Sequence, residues 1–143
     1  MGKNLDWAKD IFNRVNKDNM HLVSEFYDQD AIFQDPIHQI KGVKVIEEYY
    51  RGLYKNVDSI RFEYKNLSES EDLVTMEWIL HLRVPVLNGG KPMTLDGVSL
   101  LKFGGSQGKV IFHRDYFDMG EFIYEKIPVL NSILKLIKNK MRG

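Results

Sequence analysis

Cysteine is absent from the 143 residues. That removes disulfides, thiolate nucleophiles and cysteine-ligated zinc together. Residues 1–20 hold no apolar stretch of the kind that leads a secretory signal. No run approaches the length of a membrane span. A cytoplasmic location is therefore expected, and the triplet Asn66-Leu67-Ser68 carries no meaning as a glycosylation acceptor. There is no phosphate-cradling glycine loop and no metal-ligand spacing, so neither a cofactor nor a metal is expected. Internal repeats and low-complexity stretches are missing too.

Net charge is also missing: 20 basic side chains balance 20 acidic ones. The balance is uneven along the chain. Lys135, Lys138, Lys140 and Arg142 follow Pro128 with no acidic residue among them, which leaves 16 basic against 20 acidic in the preceding part, a net −4. A body of that sign argues against nucleic acid as a partner. An apolar share of 43% and an aromatic share of 12% are those of an ordinary globular protein, and the length suits one domain with a real core.

The hydrophobic period divides the chain. Leu5, Ala8, Ile11, Phe12 and Val15 trace one face of a helix, with Asn4 as its expected N-cap. Asn19 is placed to cap a second short helix carrying Leu22, Val23, Phe26 and Tyr27. Asp30 to Asp35 reads as a short strand stopped by Pro36. Val43, Ile46, Tyr50 and Leu53 share a stripe in a helix over Gly42–Tyr54. The period then drops to two. Val74, Met76, Trp78, Leu80, Leu82 and Val84 alternate with more polar neighbours along one long strand. Ile60–Leu67, Met93–Phe103 and Lys109–Asp118 are further strands, and Asn88-Gly89-Gly90 signals a hairpin. Helices first and a meander of strands after them predict an α+β fold, with helices on one face of an antiparallel sheet.

Two short segments carry candidate chemistry. The first is Tyr27-Asp28-Gln29-Asp30-Ala31-Ile32-Phe33-Gln34-Asp35-Pro36. The second is Gly108-Lys109-Val110-Ile111-Phe112-His113-Arg114-Asp115. In the second, alternation puts Ile111, His113, Asp115 and Phe117 on one face and Arg114 and Tyr116 on the other. On the neighbouring strand Leu95, Gly97, Ser99, Leu101 and Phe103 share a face. A carboxyl group in an apolar cavity loses solvation of its charged form, so it can give or take a proton near neutral pH. The plainer alternatives are structural. Asp35 before Pro36 suits a turn whose backbone it bonds, and Asp115 suits a polar residue satisfied by His113 or an arginine. His81 and Arg83 fall opposite the apolar face of their strand. His21 and His38 have no partner legible in the sequence. A metal site of Asp35, His38, His113 and Asp115 lacks any spacing signature.

The first segment resembles ketosteroid isomerase and its relatives, in which a tyrosine, an acidic pair, a short strand and an Asp-Pro end occur in this order. Gly42 and the residues after it are similar to that family's third helix. The second segment resembles the SnoaL-like polyketide cyclases, where a glycine turn leads a strand ending in His-Trp-Asp; here Arg114 replaces the tryptophan. The resemblance implies a cone-shaped α+β fold, a curved antiparallel sheet closed by N-terminal helices around a pocket. It spans roughly residues 5–125, and residues 1–127 are taken as the domain. It implies Asp35 as general base and Asp115 as acid, with His113 beside them. It makes Tyr27, Tyr50, Ser99, Trp78 and Met76 substrate-contacting residues. The two groups that polarise the isomerase's carbonyl are replaced here, by Ile11 or Phe12 and by Ser99.

Residues 128–143 read as a basic amphipathic helix, with Leu130, Ile133, Leu134, Ile137 and Met141 in a stripe. Its expected place is against its own domain or a second subunit, and peripheral contact with an anionic membrane is the alternative. Three functions follow from these residues. The leading one is an isomerase, cyclase or hydrolase acting on a small apolar carbonyl compound without a cofactor. The others are a non-catalytic binder of an apolar ligand and an interaction module of the nuclear transport factor two kind. A homodimer through the outer sheet face is expected under all three.

Overall fold

The computed structural model describes residues 2–85 and 88–118. The elements run α1 (Lys3–Arg14), α2 (His21–Phe26), β1 (Tyr27–Gln34), β2 (Gln39–Lys41), α3 (Val43–Lys55), β3 (Ser59–Ser70), β4 (Leu73–Arg83), β5 (Met93–Gly104) and β6 (Lys109–Phe117). The six strands form one curved, unclosed sheet in the order β2-β1-β6-β5-β4-β3. Its pairings are antiparallel but for one: β1 runs parallel to β6. The architecture is therefore α+β, as the order of periods predicts. The proposed C-terminal helix over 128–143 and the domain boundary at 127 lie outside the described residues.

Helix α1 buries the stripe its sequence spells out, Leu5, Ala8, Ile11 and Phe12. Burying a side chain such as Leu5, which is fully enclosed, contributes about 1.5–3 kcal/mol. Its N-terminus is satisfied differently from expectation. The helix begins at Lys3 with Gly2 as cap residue and no local side-chain cap. Instead the Leu5 N–H donates to Glu69 Oε1 at 2.8 Å, across 64 residues of sequence. A carboxylate beside the orphan N–H groups and the positive end of the helix dipole does the work of a local cap.

Asn19 likewise departs from its expected role. Helix α2 starts at His21 with Met20 as cap residue. The Asn19 side chain accepts from the Asn16 N–H and donates to the Arg14 carbonyl. It ties off the α1–α2 connection. Strand β1 starts three residues earlier than the Asp30 expected, which brings Tyr27 into the sheet, 2% exposed. The turn from β2 into α3 rests on Gly42, whose φ of 97° is open to glycine and strained for other residues. Its N–H donates to the Ala31 carbonyl and its own carbonyl accepts from Ile46, so the turn anchors α3 to β1.

Strand β6 slips register against β5 between Lys102 and Phe103, where Phe103 pairs with Val110 and Lys102 with Phe112. The extra residue is Ile111, a β-bulge. Simple alternation placed Ile111 on the core face with His113. The bulge instead gives the fully buried position to Val110 and leaves Ile111 half-buried.

Candidate functional site

A cavity of about 540 Å³ lies between the helices and the sheet. Ile11 and Phe12 of α1, Tyr50 and Tyr54 of α3, and Trp78, Leu95 and Phe117 of the sheet give it a mostly apolar wall. Seven of the eight side chains singled out in the sequence reach that wall: Tyr27, Asp35, Tyr50, Trp78, Ser99, His113 and Asp115. Met76 does not. It is fully buried in the core and is not among the residues lining the cavity. The Tyr64/Leu67 register shift of β3 changes its neighbour, so that Met76 pairs with Leu67 while Trp78 pairs with Tyr64.

Six of these side chains form one hydrogen-bonded chain. Tyr50 Oη lies 2.7 Å from Tyr27 Oη, and Tyr27 Oη lies 2.7 Å from His113 Nδ1. His113 Nε2 is 2.6 Å from Asp115 Oδ1. The same carboxylate oxygen accepts from the Ser99 hydroxyl at 2.5 Å, and Ser99 accepts from the Trp78 indole N–H at 2.9 Å. The sheet explains the convergence. Ser99 on β5 pairs directly with Asp115 on β6 and with Met76 on β4. Phe33 on β1 pairs with His113. The Trp78 indole occupies the space beside Gly97, where an added Cβ would stand 2.2 Å from the ring. Glycine at 97 thus lets the indole reach Ser99.

The imidazole of His113 is 2% exposed. Phe33 meets it edge to face at 4.7 Å and Phe12 tilts against it at 5.5 Å. Burial pushes the Tyr27 hydroxyl well above the ordinary tyrosine value. Burial raises Tyr50 as well, against the lowering effect of its bond to Tyr27. Both hydroxyls therefore keep their protons at neutral pH. The chain then has two self-consistent settings. With a neutral imidazole, Nε2–H donates to Asp115 and Tyr27 donates to Nδ1, while Tyr50 donates to Tyr27. With an imidazolium, Nδ1–H donates to Tyr27, Tyr27 donates to Tyr50, and the Tyr50 O–H is left to donate into the cavity. Asp115 Oδ2 has no hydrogen-bond partner among the described residues, and the Asp115 side chain is 20% exposed.

A second carboxylate–imidazole pair lines the same cavity. Asp35 Oδ1 accepts from the backbone N–H of Ile37 at 2.8 Å and of His38 at 3.0 Å. Asp35 Oδ2 accepts from the Tyr49 hydroxyl at 3.3 Å. Burial, followed by the nearby Asp35 charge, pushes the Tyr49 hydroxyl well above its ordinary value. So Asp35 holds the turn that its place before Pro36 suggests, and it also faces the cavity. The sequence reading groups His38 with Asp35 only within the metal site it sets aside; the structure brings the two together at 3.0 Å. Among the described residues no three His, Asp or Glu side chains are grouped to hold a metal ion. His81 sits apart, 2.8 Å from Glu63 across β3 and β4. No helix among the described residues is long and apolar enough to cross a membrane.

A family model described as a SnoaL-like domain matches residues 8–113. Solved structures of the same fold include a protein of Shewanella denitrificans assigned as a SnoaL-like polyketide cyclase. It shares 21% identity over 82% of this chain and 92% of that one, with a TM-score of 0.72. An NTF2-like protein of unknown function from Burkholderia pseudomallei superposes with a TM-score of 0.73 at 16% identity, covering 87% and 97% of the two chains. A Catenulispora acidiphila protein with a ketosteroid isomerase-like fold, solved with trimethylamine, gives 0.68 at 12% identity over 84% and 88%. No curated protein matches the chain.

Proposed function

The chain belongs to the SnoaL-like domain family, and on that premise we propose that its cavity is the active site of a cofactor-free isomerase or cyclase acting on an apolar carbonyl compound. The observation that carries this reading is the unbroken chain Tyr50–Tyr27–His113–Asp115–Ser99–Trp78 on an otherwise apolar wall. A structural polar residue needs one or two partners. Six linked groups around a carboxylate whose second oxygen is unbonded among the described residues make a device for holding and moving a proton.

In this reading Asp115 Oδ2 takes a proton from the carbon next to the substrate carbonyl. The electron pair of that C–H bond moves onto the carbonyl oxygen as an enolate. Tyr50 donates its O–H to that oxygen in the imidazolium setting, with Tyr27 and His113 behind it. One such donor is worth roughly 2–4 kcal/mol of barrier. Protonated Asp115 then returns the proton at another carbon, completing an isomerisation, or to the alkoxide of an intramolecular carbon–carbon bond formation, completing a cyclisation. Asp35 supplies the second carboxylate, with the base or acid role exchanged where the substrate binds the other way round. The apolar wall fills the rest of the cavity, which is large enough for a bicyclic or larger skeleton.

The test is turnover of enolisable apolar ketones, followed as proton–deuterium exchange in heavy water. Wild type should exchange the α-hydrogen, and Asp115→Asn should lose at least 10²-fold. Equal exchange by both proteins rejects the catalytic reading. Binding without exchange in either selects the non-catalytic binder, a reading favoured by the scarcity of polar groups on the wall.

A further inference from the structure

The polar chain on the cavity wall has two arms that meet at Asp115, and they differ in freedom. The arm through His113, Tyr27 and Tyr50 has the two settings described above. The arm through Ser99 and Trp78 has one. An indole N–H only donates, so Ser99 Oγ accepts from Trp78 at 2.9 Å. An ionised carboxylate only accepts, so the single Ser99 proton goes to Asp115 Oδ1 at 2.5 Å. No proton is left on Ser99 for a substrate carbonyl. Ser99 is 2% exposed, so bulk water does not compete for its hydroxyl. The sheet builds this arm. Ser99 pairs directly with Asp115, while Trp78 pairs with Gly97, two residues before Ser99. The indole therefore reaches Ser99 on the diagonal, across a position that has no side chain.

We infer that Ser99 and Trp78 are positioning residues for Asp115: the indole N–H fixes the Ser99 hydroxyl, and that hydroxyl fixes the carboxylate with Oδ2 as its free oxygen. The resemblance to the isomerase puts Ser99 where a carbonyl-polarising group stands. The directions of its hydrogen bonds give it a different task. In both settings of the other arm, Nε2–H of His113 also donates to Oδ1, at 2.6 Å. One donor leaves a carboxylate free to turn about that bond. A second donor, from the next strand, stops the turn, so the base presents the same oxygen to every substrate. The face of the Trp78 indole lines the cavity, while its N–H is spent on Ser99. This inference rests on the reading of Asp115 as the base of the site.

The experiment joins two measurements on wild type, Ser99→Ala, Ser99→Thr and Trp78→Phe. The first needs no ligand and reads the Hα–Hβ couplings of Asp115 by NMR. They should report one rotamer in wild type and in Ser99→Thr, which keeps the hydroxyl, and an average of rotamers in Ser99→Ala. The second is α-proton exchange of 2-tetralone in heavy water. Ser99→Ala should lower kcat about tenfold or more while KM stays within about twofold, and Trp78→Phe should lower kcat about threefold. Ser99→Thr should restore most of the rate. Added to Asp115→Asn, Ser99→Ala should cause no further loss, because it acts through the carboxylate already removed. A single Asp115 rotamer in Ser99→Ala, a rise in KM in place of the fall in kcat, or a further loss in the Asp115→Asn background would each overturn the inference. The two readings fail differently. If Ser99→Ala frees the Asp115 rotamer while Asp115→Asn leaves exchange unchanged, the catalytic reading falls and the positioning of the carboxylate stands. If Asp115→Asn abolishes exchange while Ser99→Ala keeps the full kcat, the catalytic reading stands and this inference falls. If wild type exchanges no ketone, the Asp115 rotamer decides alone: averaging in Ser99→Ala sustains the inference, and one fixed rotamer overturns it.

Discussion

Two carboxylate–imidazole pairs face one cavity, and they are built in opposite senses. In the pair on β6, the imidazole is complete: His113 is bonded at both nitrogens, and the carboxylate keeps Oδ2 unbonded among the described residues. In the pair that flanks Pro36, the carboxylate is complete: Asp35 accepts three hydrogen bonds, and the imidazole of His38 has none among the described residues. The strand holds its pair two residues apart on one face, where cross-strand neighbours Ser99 and Phe33 reach it. The turn holds its pair by two backbone N–H groups on Oδ1 and the Tyr49 hydroxyl on Oδ2, which together occupy both oxygens of Asp35. Identical residue types thus leave a carboxylate oxygen unbonded at one place and two ring nitrogens unbonded at the other, among the described residues. What differs is which partner the backbone has already used.

The largest effect should come from pitting the two carboxylates against each other. Asp115→Asn should lower ketone exchange by 10²–10⁴-fold, and Asp35→Asn by about tenfold, since Asp35 acts chiefly through the turn it holds. A reversed order would move the working base to Asp35. Next comes the wall that supports the β6 pair. Gly97→Ala drives a methyl group into the Trp78 indole and should cost about 1–3 kcal/mol in chemical denaturation while weakening turnover. Unchanged stability would mean the indole is free to move and Ser99 does not depend on it.

The tyrosines sharpen the contrast further. Tyr27→Phe leaves His113 Nδ1 and Tyr50 without their partner and should cost about 1–3 kcal/mol. Tyr49→Phe removes one long bond to an already occupied carboxylate and should cost about 0.5–1 kcal/mol. The smallest effect is on pH. Burial raises Tyr27, Tyr49 and Tyr50 and lifts Tyr54 to about 12. Their contribution is present below the unfolded value of about 10 and is lost as pH rises beyond it, because the unfolded chain releases those protons first. Melting temperatures measured from pH 8 to 11 should fall only above about pH 10. Tyrosinate absorbance should appear with unfolding rather than before it.

Part of this was legible in the sequence, and the reason is period. The stripe Leu5, Ala8, Ile11, Phe12 and the alternation Val74, Met76, Trp78 announce a helix and a strand, because a regular backbone repeats its buried side every 3.6 or 2 residues. His113 and Asp115 share a face by that rule alone. Asp35 before Pro36 spells out a turn. The rule fails where regularity does. The β6 bulge moves Val110, not Ile111, to the fully buried position. Met76 shares its face with Trp78 and still stops short of the cavity, since the β3 register shift packs it into the core. His38 sits in a turn with no period at all, so no alternation assigns it a side.

The sequence by itself determined the α+β class and the buried side of the long strand β4. It also marked out the two segments from which the cavity's two aspartates come, because backbone periodicity and turn chemistry act within a few residues. The tertiary structure alone decided who bonds whom. Glu69 caps a helix 64 residues away, Tyr27 finds His113 across 86 residues, and Trp78 reaches Ser99 over a glycine on the next strand. Such pairings depend on strand order and on the one parallel contact between β1 and β6. Hydrogen bonds have a reach of about 3 Å, and only the folded chain brings distant residues within it.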